Sequence, residues 1–318
     1  MINVDQIKTE FLKAHLIDPV SQRKVVELTA SKVIFTNHSY PIHNGVPVLF
    51  NEQESIFRTS DVLNEIPTTQ NKTYRKKGWK TFIRQKLLPS LSHDFTFKER
   101  YKRLASDCGG KTVLVIGAGD KIEWYVQMFA GALVITSDVH SQYIPDVVID
   151  AHQIPFENKT FDIVIAGQVL EHTFQPWVVA SEIERVCKSG GQMLIEVPFN
   201  FPYHGMPYDF FRFTFTGLRS LFNKSKMVEC QIGEGNASAV ATYNSQLLID
   251  LFSNRLLRSI MLFISRILFG WWKYLDKLNS TVNRRSISVP KGFSMLFEKD
   301  DVKRSNSELL NEYFELKK

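Results

Sequence analysis

TVLVIGAGDKIEW, residues 112–124, decides how this chain is read. Thr112 to Ile116 form a short run without an interrupting charge, as in a strand buried on both faces of a parallel sheet. Gly117 and Gly119 follow as a tight turn whose backbone can approach a ligand closely, and the helix start beyond them favours an anionic group. The next run, ALVITSD, ends at Asp138, where a carboxylate can hold both hydroxyls of a ribose. A dinucleotide fingerprint would place Gly or Ala where Ile122 stands. The turn together with Asp138 points to an adenosine-type ligand.

Working outward, the pattern repeats. DVVID (146–150), FDIVIA (161–166) and QMLIEVP (192–198) are further buried strands, alternating with helical stretches. One helix is expected over 176–188, with Val179, Ile183 and Val186 on one face and a stop at Gly190-Gly191. Strand–helix alternation of this kind predicts a doubly wound α/β domain.

Five motifs then fall in order: Asp150; Ile154-Pro155-Phe156; Thr160-Phe161-Asp162; Leu170-Glu171-His172; and Cys187-Lys188-Ser189-Gly190-Gly191. In that order they resemble the class I S-adenosylmethionine (SAM) methyltransferases of the type 11 group, over roughly residues 111–220. The resemblance implies a mostly parallel, seven-stranded Rossmann-like sheet and SAM as cofactor. It would pass Gly117, Ala118 and Gly119 beneath the methionine part, set Asp138 on the ribose and Asp150 with Ala151 on the adenine, and line the methionine side with Gln168. Two positions depart from the pattern: Val115 stands where the first strand often carries an acid, and Lys121 where a third glycine is usual. For His172, the resemblance implies bracing of the loop after the fourth strand, with catalysis as the alternative.

Directly after the fifth strand comes PFNFPYHGMPYDFFRFT, residues 198–214, too polar for a core strand and too aromatic for an ordinary solvated loop. Ligands in doubly wound sheets sit beyond the carboxyl ends of the strands, so this loop is expected to roof the transfer site. Aromatic walls exclude water and can face a cationic methyl donor or a sugar ring. His204 is the expected base, Asp209 could orient it, and Arg212 could anchor a carboxylate or phosphate. The alternative for Asp209 and Arg212 is a mutual pair that holds the loop. A similar segment occurs in methyltransferases of bacterial surface-polysaccharide loci.

The 318 residues have room for one large domain and a small one, with 44% hydrophobic residues and a net charge of +6. The expected organisation is a β-module over 1–50, a connector with helices over 51–110, the α/β domain over 111–300 and a tail over 301–318. The β-module, with LIDPV at 16–20 and YPIHNGVPVLF at 40–50, resembles a Trm112-type zinc ribbon. Asp18-Pro19-Val20-Ser21 replaces its Cys-Pro-x-Cys pair, and His38 and His43 alone cannot complete a tetrahedral zinc site. Cys108, Cys187 and Cys230 stand apart, so neither a disulfide framework nor a bound metal is expected. The basic stretch KTYRKKGWK (72–80) lies in the connector. An insertion over 236–290, before the last strand, mixes large apolar residues with Arg255, Arg258, Arg266, Lys273, Lys277, Arg284 and Arg285. It reads as a lid or homodimer face, or, through 255–285, as a helix lying on an anionic membrane surface.

The expected activity is therefore SAM-dependent methyl transfer to a small or lipid-linked acceptor, in particular a sugar hydroxyl in surface polysaccharide synthesis. The expected location is the cytoplasm or the inner membrane face. The rival readings are an RNA guanine methyltransferase, disfavoured by the missing ribbon ligands and the lack of an Asn-Pro-Pro-Tyr-like motif, and a non-catalytic assembly partner with the same fold.

Overall fold

The alternation read from the sequence becomes one continuous sheet in the computed structural model, which describes residues 4–66, 89–279 and 282–316. Helix α1 (Val4–His15) leads into four short strands, β1 (Glu27–Leu28), β2 (Lys32–Ile34), β3 (Ser39–His43) and β4 (Val46–Leu49). Helices α2 (Thr59–Leu63) and α3 (Phe97–Ala105) belong to the connector. The α/β portion runs β5 (Thr112–Ile116), α4 (Ile122–Met128), β6 (Leu133–Asp138), β7 (Val147–Ile149), β8 (Phe161–Gly167), α5 (Pro176–Val186), β9 (Cys187–Pro198) and α6 (Phe215–Leu221). It closes with β10 (Ser225–Ile232), the helices α7 (Asn236–Asp250) and α8 (Arg255–Phe269), β11 (Gly292–Lys299) and α9 (Asn306–Glu315). The basic stretch at 72–80 lies outside the described residues.

Strand order is β1-β2-β3-β4-β7-β6-β5-β8-β9-β11-β10. The expected seven strands are β5 to β11, but the sheet is longer because the N-terminal strands continue it. Strand β4 pairs parallel with β7, setting Val48 beside Val148 and Leu49 beside Ile149. Every residue of β4 is buried, so it covers an edge that β7 would otherwise leave with unpaired backbone groups. The other end is antiparallel, with β11 between β9 and β10.

Successive side chains of the central strands go to opposite faces. Leu114, Ile116, Val164 and Ala166 join one core, and Val113, Val115, Ile163 and Ile165 join the other. Val115, where an acid is common in the resembling family, is therefore packed in the core against the side that holds Tyr101 and Tyr125. Lys121 lies over the Phe97 ring at 5.2 Å.

The helix expected over 176–188 ends two residues early. Cys187 is already extended (φ −74, ψ 137) and pairs with Phe161. The glycines expected to stop the helix lie inside β9. At Gly191 a Cβ would meet Cys187 Sγ and the Lys188 carbonyl at 2.8 Å and the Asp162 carbonyl at 2.9 Å. Close backbone approach, not helix termination, is what requires glycine there.

In the N-terminal module, Asp18 is fully buried. It accepts hydrogen bonds from Ser21 Oγ and His38 Nδ1, both at 2.6 Å, from Tyr40 OH at 2.8 Å and from the Val20 N–H at 3.0 Å. Burial acts to raise the Asp18 pKa, but these four donors outweigh it and hold the carboxyl below its ordinary value. His43 points elsewhere, 3.9 Å from Glu65. A hydrogen-bonded knot thus ties Asp18 and Ser21, which stand where the resembling ribbon carries cysteines, to His38 and Tyr40.

Candidate active site

The parallel strands β5, β6, β7 and β8 all end at one edge of the sheet, where a cavity of about 360 Å³ opens. That volume suits a small molecule. Of the residues expected to hold a cofactor, Gly117, Gly119, Asp138, Asp150, Ala151 and Gln168 line this cavity, while Ala118 is buried beside it.

Gly117 has φ +67, and a Cβ there would stand 2.7 Å from Val169 Cγ2, so no other residue fits without moving the loop after β8. At Gly119 (φ +54) a Cβ would meet nothing within 4 Å. Asp138 ties this turn to β6: one oxygen accepts the Gly119 N–H at 2.9 Å and the other accepts the Val139 N–H at 2.7 Å. Burial raises the Asp138 pKa, against the pull of His140 and of the backbone donors. Asp150 accepts from His152 Nδ1 at 2.6 Å and from Ser55 Oγ at 2.5 Å. Burial acts to raise its pKa too, and these partners hold it below the ordinary value.

Several wall residues escaped the sequence reading. Ile56 and Phe57 come from the connector, and His140, Tyr143 and His152 from loops after β6 and β7. The Phe57 ring stands 6.3 Å from Tyr208 and 6.4 Å from His140, so the connector and the aromatic loop meet over the cavity. An aromatic in an otherwise polar stretch was the one available signal, because contacts across such chain separations leave no periodicity.

The aromatic loop is closed at its base by the Phe213 N–H donating to the Pro198 carbonyl at 3.0 Å. Thr214 then caps α6, accepting the Gly217 N–H at 3.0 Å. Asp209 and Arg212 lie side by side inside the loop and do not line the cavity. Both Asp209 oxygens accept from Arg212, at 2.6 and 2.8 Å, and one also accepts the His204 N–H at 2.7 Å. The remaining Arg212 donors go to the carbonyls of Phe201, Pro202 and Phe211. The guanidinium therefore has its five N–H groups directed at its own loop.

His204 and His172 do line the cavity. Their rings meet edge to face, with centroids 4.9 Å apart. His172 Nδ1 bonds the Tyr208 carbonyl, and His204 Nδ1 faces the Pro202 carbonyl at 3.3 Å and Asp209 Oδ2 at 3.2 Å. The accepting carbonyl at His172 Nδ1 places the proton there and leaves the Nε2 lone pair open, whereas His204 Nδ1 meets a donor as well, Arg212 Nη2 at 3.3 Å, so its neighbours do not fix which ring nitrogen carries the proton. Burial lowers both pKa values, so both rings are neutral near pH 7. Beneath them Glu171 is fully buried, and neither carboxylate oxygen has a hydrogen-bond partner. Burial pushes its pKa up to about 8.

Comparison with known proteins bears on this site. Residues 117–195 match the family model described as a methyltransferase domain. Among solved structures, one from Galdieria sulphuraria, described as a sarcosine dimethylglycine methyltransferase, aligns at 15% identity over 64% of this chain and 84% of its own, with a TM-score of 0.40. A Haloferax volcanii complex of the Trm112 methyltransferase activator with a chain described as a methyltransferase aligns at 13% identity over 71% and 96%, with a TM-score of 0.44. Phosphoethanolamine N-methyltransferase 2 from Haemonchus contortus aligns at 15% identity over 64% and 52%, with a TM-score of 0.40. No curated protein matches the sequence.

Proposed function

We propose that this chain, a SAM-dependent methyltransferase of class I, methylates a hydroxyl of a small or lipid-linked acceptor such as a sugar. In this reading Gly117, Gly119 and Asp138 hold the methionine and ribose parts of SAM, Asp150 and Ala151 flank the adenine, and Gln168 lines the methionine side. The observation that carries the acceptor class is the neutral His204 in the cavity wall, its Nδ1 engaged by the Pro202 carbonyl and Arg212 of its own loop. A neutral amine needs no base to attack a sulfonium, whereas a hydroxyl must lose its proton as the bond to carbon forms. His204 takes that proton; Asp209 and Arg212 act through it, as positioning residues that fix the loop. Labelled methyl groups from SAM should appear on envelope saccharides as ethers that resist mild alkali. Label confined to RNA, or present only as alkali-labile esters, would overturn the acceptor class.

A lipid-linked acceptor gains support from α8 and the turn that follows it. Leu256, Ile260, Phe263, Ile267 and Trp271 recur at helical spacing, and all are exposed. Exposed Arg255 and Lys277 flank them. Among the described residues, no helix is long and apolar enough to cross a membrane, so this stripe fits a helix lying in the headgroup boundary. The two helices are fastened together, through Ser245 Oγ and Ser265 Oγ at 2.7 Å, and Asp276 accepts the Ala237 N–H at the start of α7 at 2.9 Å. The protein should co-sediment with vesicles containing acidic phospholipid, and a Phe263→Glu/Ile267→Glu variant should lose at least ~10-fold of that binding. Equal recovery without vesicles would remove the membrane reading.

A further inference from the structure

Glu171, His172 and His204 have a feature that proton transfer does not explain. One carboxylate oxygen and one ring nitrogen from each histidine lie within 4.8 Å of one another. His172 Nε2 is already 3.8 Å from Glu171 Oε1. The Glu171 carboxylate is fully buried, yet neither oxygen has a partner in hydrogen-bond geometry, and the donor acting on it is its own backbone N–H. Buried carboxylates are ordinarily paired or hydrogen-bonded, because desolvation without compensation is costly. Protonating Glu171 would leave an O–H equally short of an acceptor. Arg212, which acts on Glu171 electrostatically, is already paired with Asp209, whose charge acts on Glu171 in the opposite sense.

Ligand chemistry matches what is missing. Imidazoles that bind metals commonly donate their other ring N–H to a carbonyl or carboxylate, which fixes the ring and its tautomer. His172 does this to the Tyr208 carbonyl, and His204 Nδ1 lies among the Pro202 carbonyl, Asp209 and Arg212 Nη2. Two imidazoles and one carboxylate, with further coordination positions open, form a donor set that zinc and similar divalent ions accept. Tetrahedral bonds of about 2.0–2.1 Å put ligand atoms roughly 3.3 Å apart, so closing the site needs side-chain shifts on the order of 1 Å. His204 and His172 both line the cavity, which gives an ion its route in.

We propose that Glu171, His172 and His204 bind one divalent cation of the zinc class, and that the bound ion holds transfer off. This rests on the proposed role of His204 as base, since a nitrogen lone pair shared with a metal cannot also receive the acceptor's proton. The site thereby couples activity to metal availability.

Titration of the chelator-stripped full-length protein with Co²⁺ alone should give one equivalent bound, with visible bands of a nitrogen–oxygen site and no thiolate charge-transfer band. Glu171→Gln should weaken binding at least ~10-fold with an unchanged circular dichroism spectrum, and His172→Ala should do the same should the first variant fail to fold. Zn²⁺ should then slow methyl transfer in proportion to occupancy, and a chelator should restore it. No cobalt binding by the wild type, or binding unchanged in both variants, overturns the site. Cobalt binding together with metal-stimulated transfer retains the site and overturns the inhibition. Cobalt binding by the wild type, together with full turnover of His204→Ala, retains the site and sinks the base assignment and with it the inhibition.

Discussion

A His204→Ala variant should bind SAM with unchanged affinity and transfer its methyl group ~100-fold more slowly or worse, the usual scale for removing a general base. SAM affinity is expected to survive because the glycine turn and Asp138 lie on other loops of the sheet edge, braced by backbone hydrogen bonds that do not involve His204. Calorimetry gives the affinity and single-turnover transfer gives the rate. A pH profile taken with chelator present adds a second check. Burial lowers the His204 pKa from its ordinary 6.5, so the base stays deprotonated at neutral pH and is lost only as pH falls through that lowered value. The wild-type rate should therefore be flat through pH 7 and decline on the acid side, and the variant should lack that limb. Equal turnover in variant and wild type ends the base assignment. Arg212→Lys separates position from chemistry: it keeps the charge and loses the fork that grips Asp209 and three carbonyls, so it should slow transfer without altering the acid limb.

The second large effect concerns stability. Arg100 of α3 is buried, with Nη2 2.5 Å from Glu196 Oε1 and 2.7 Å from Asp94 Oδ2. Glu196, on β9, also accepts the Tyr101 hydroxyl at 3.0 Å. Burial acts to lower the Arg100 pKa, but the two carboxylates outweigh it and raise it. Arg100→Met would leave two carboxylates facing each other without a cation, so it should cost about 3–5 kcal/mol in chemical denaturation. Glu196→Gln in the same background should recover part of that loss by removing one uncompensated charge. A loss below about 1 kcal/mol would place the group with exposed ion pairs, which contribute little. Gly167 lies against this network, with Glu196 Oε2 at 3.1 Å from where its Cβ would be. The connector is thereby fastened beneath the same edge of the sheet that carries the cavity.

Much of the fold was legible because it is written in short-range pattern. Apolar runs without polar interruption mark strands covered on both faces, and those at 112–116, 161–166 and 192–198 lie where the sequence put them. The turn at Gly117 was legible for a similar reason: positive φ and a close neighbour leave one residue type. The helix end at Val186 was misread, because glycine stops helices and also permits close strand approach, and local sequence does not separate those uses.

By itself, then, the sequence determined the strand–helix alternation, the glycine turn with Asp138 at the next strand's end, and the aromatic loop beyond the fifth strand. These follow from periodicity and backbone sterics, which act over a few residues. Only the tertiary structure decided that β4 extends the sheet, that Phe57 meets Tyr208 over the cavity, that Arg212 is engaged wholly within its loop, and that the Glu171 carboxylate lies buried close to two histidines. Each of these depends on which hydrogen-bond donors and acceptors meet across long stretches of chain. That pairing is set by burial in the folded molecule, where unsatisfied polar groups are costly, and no local pattern encodes it.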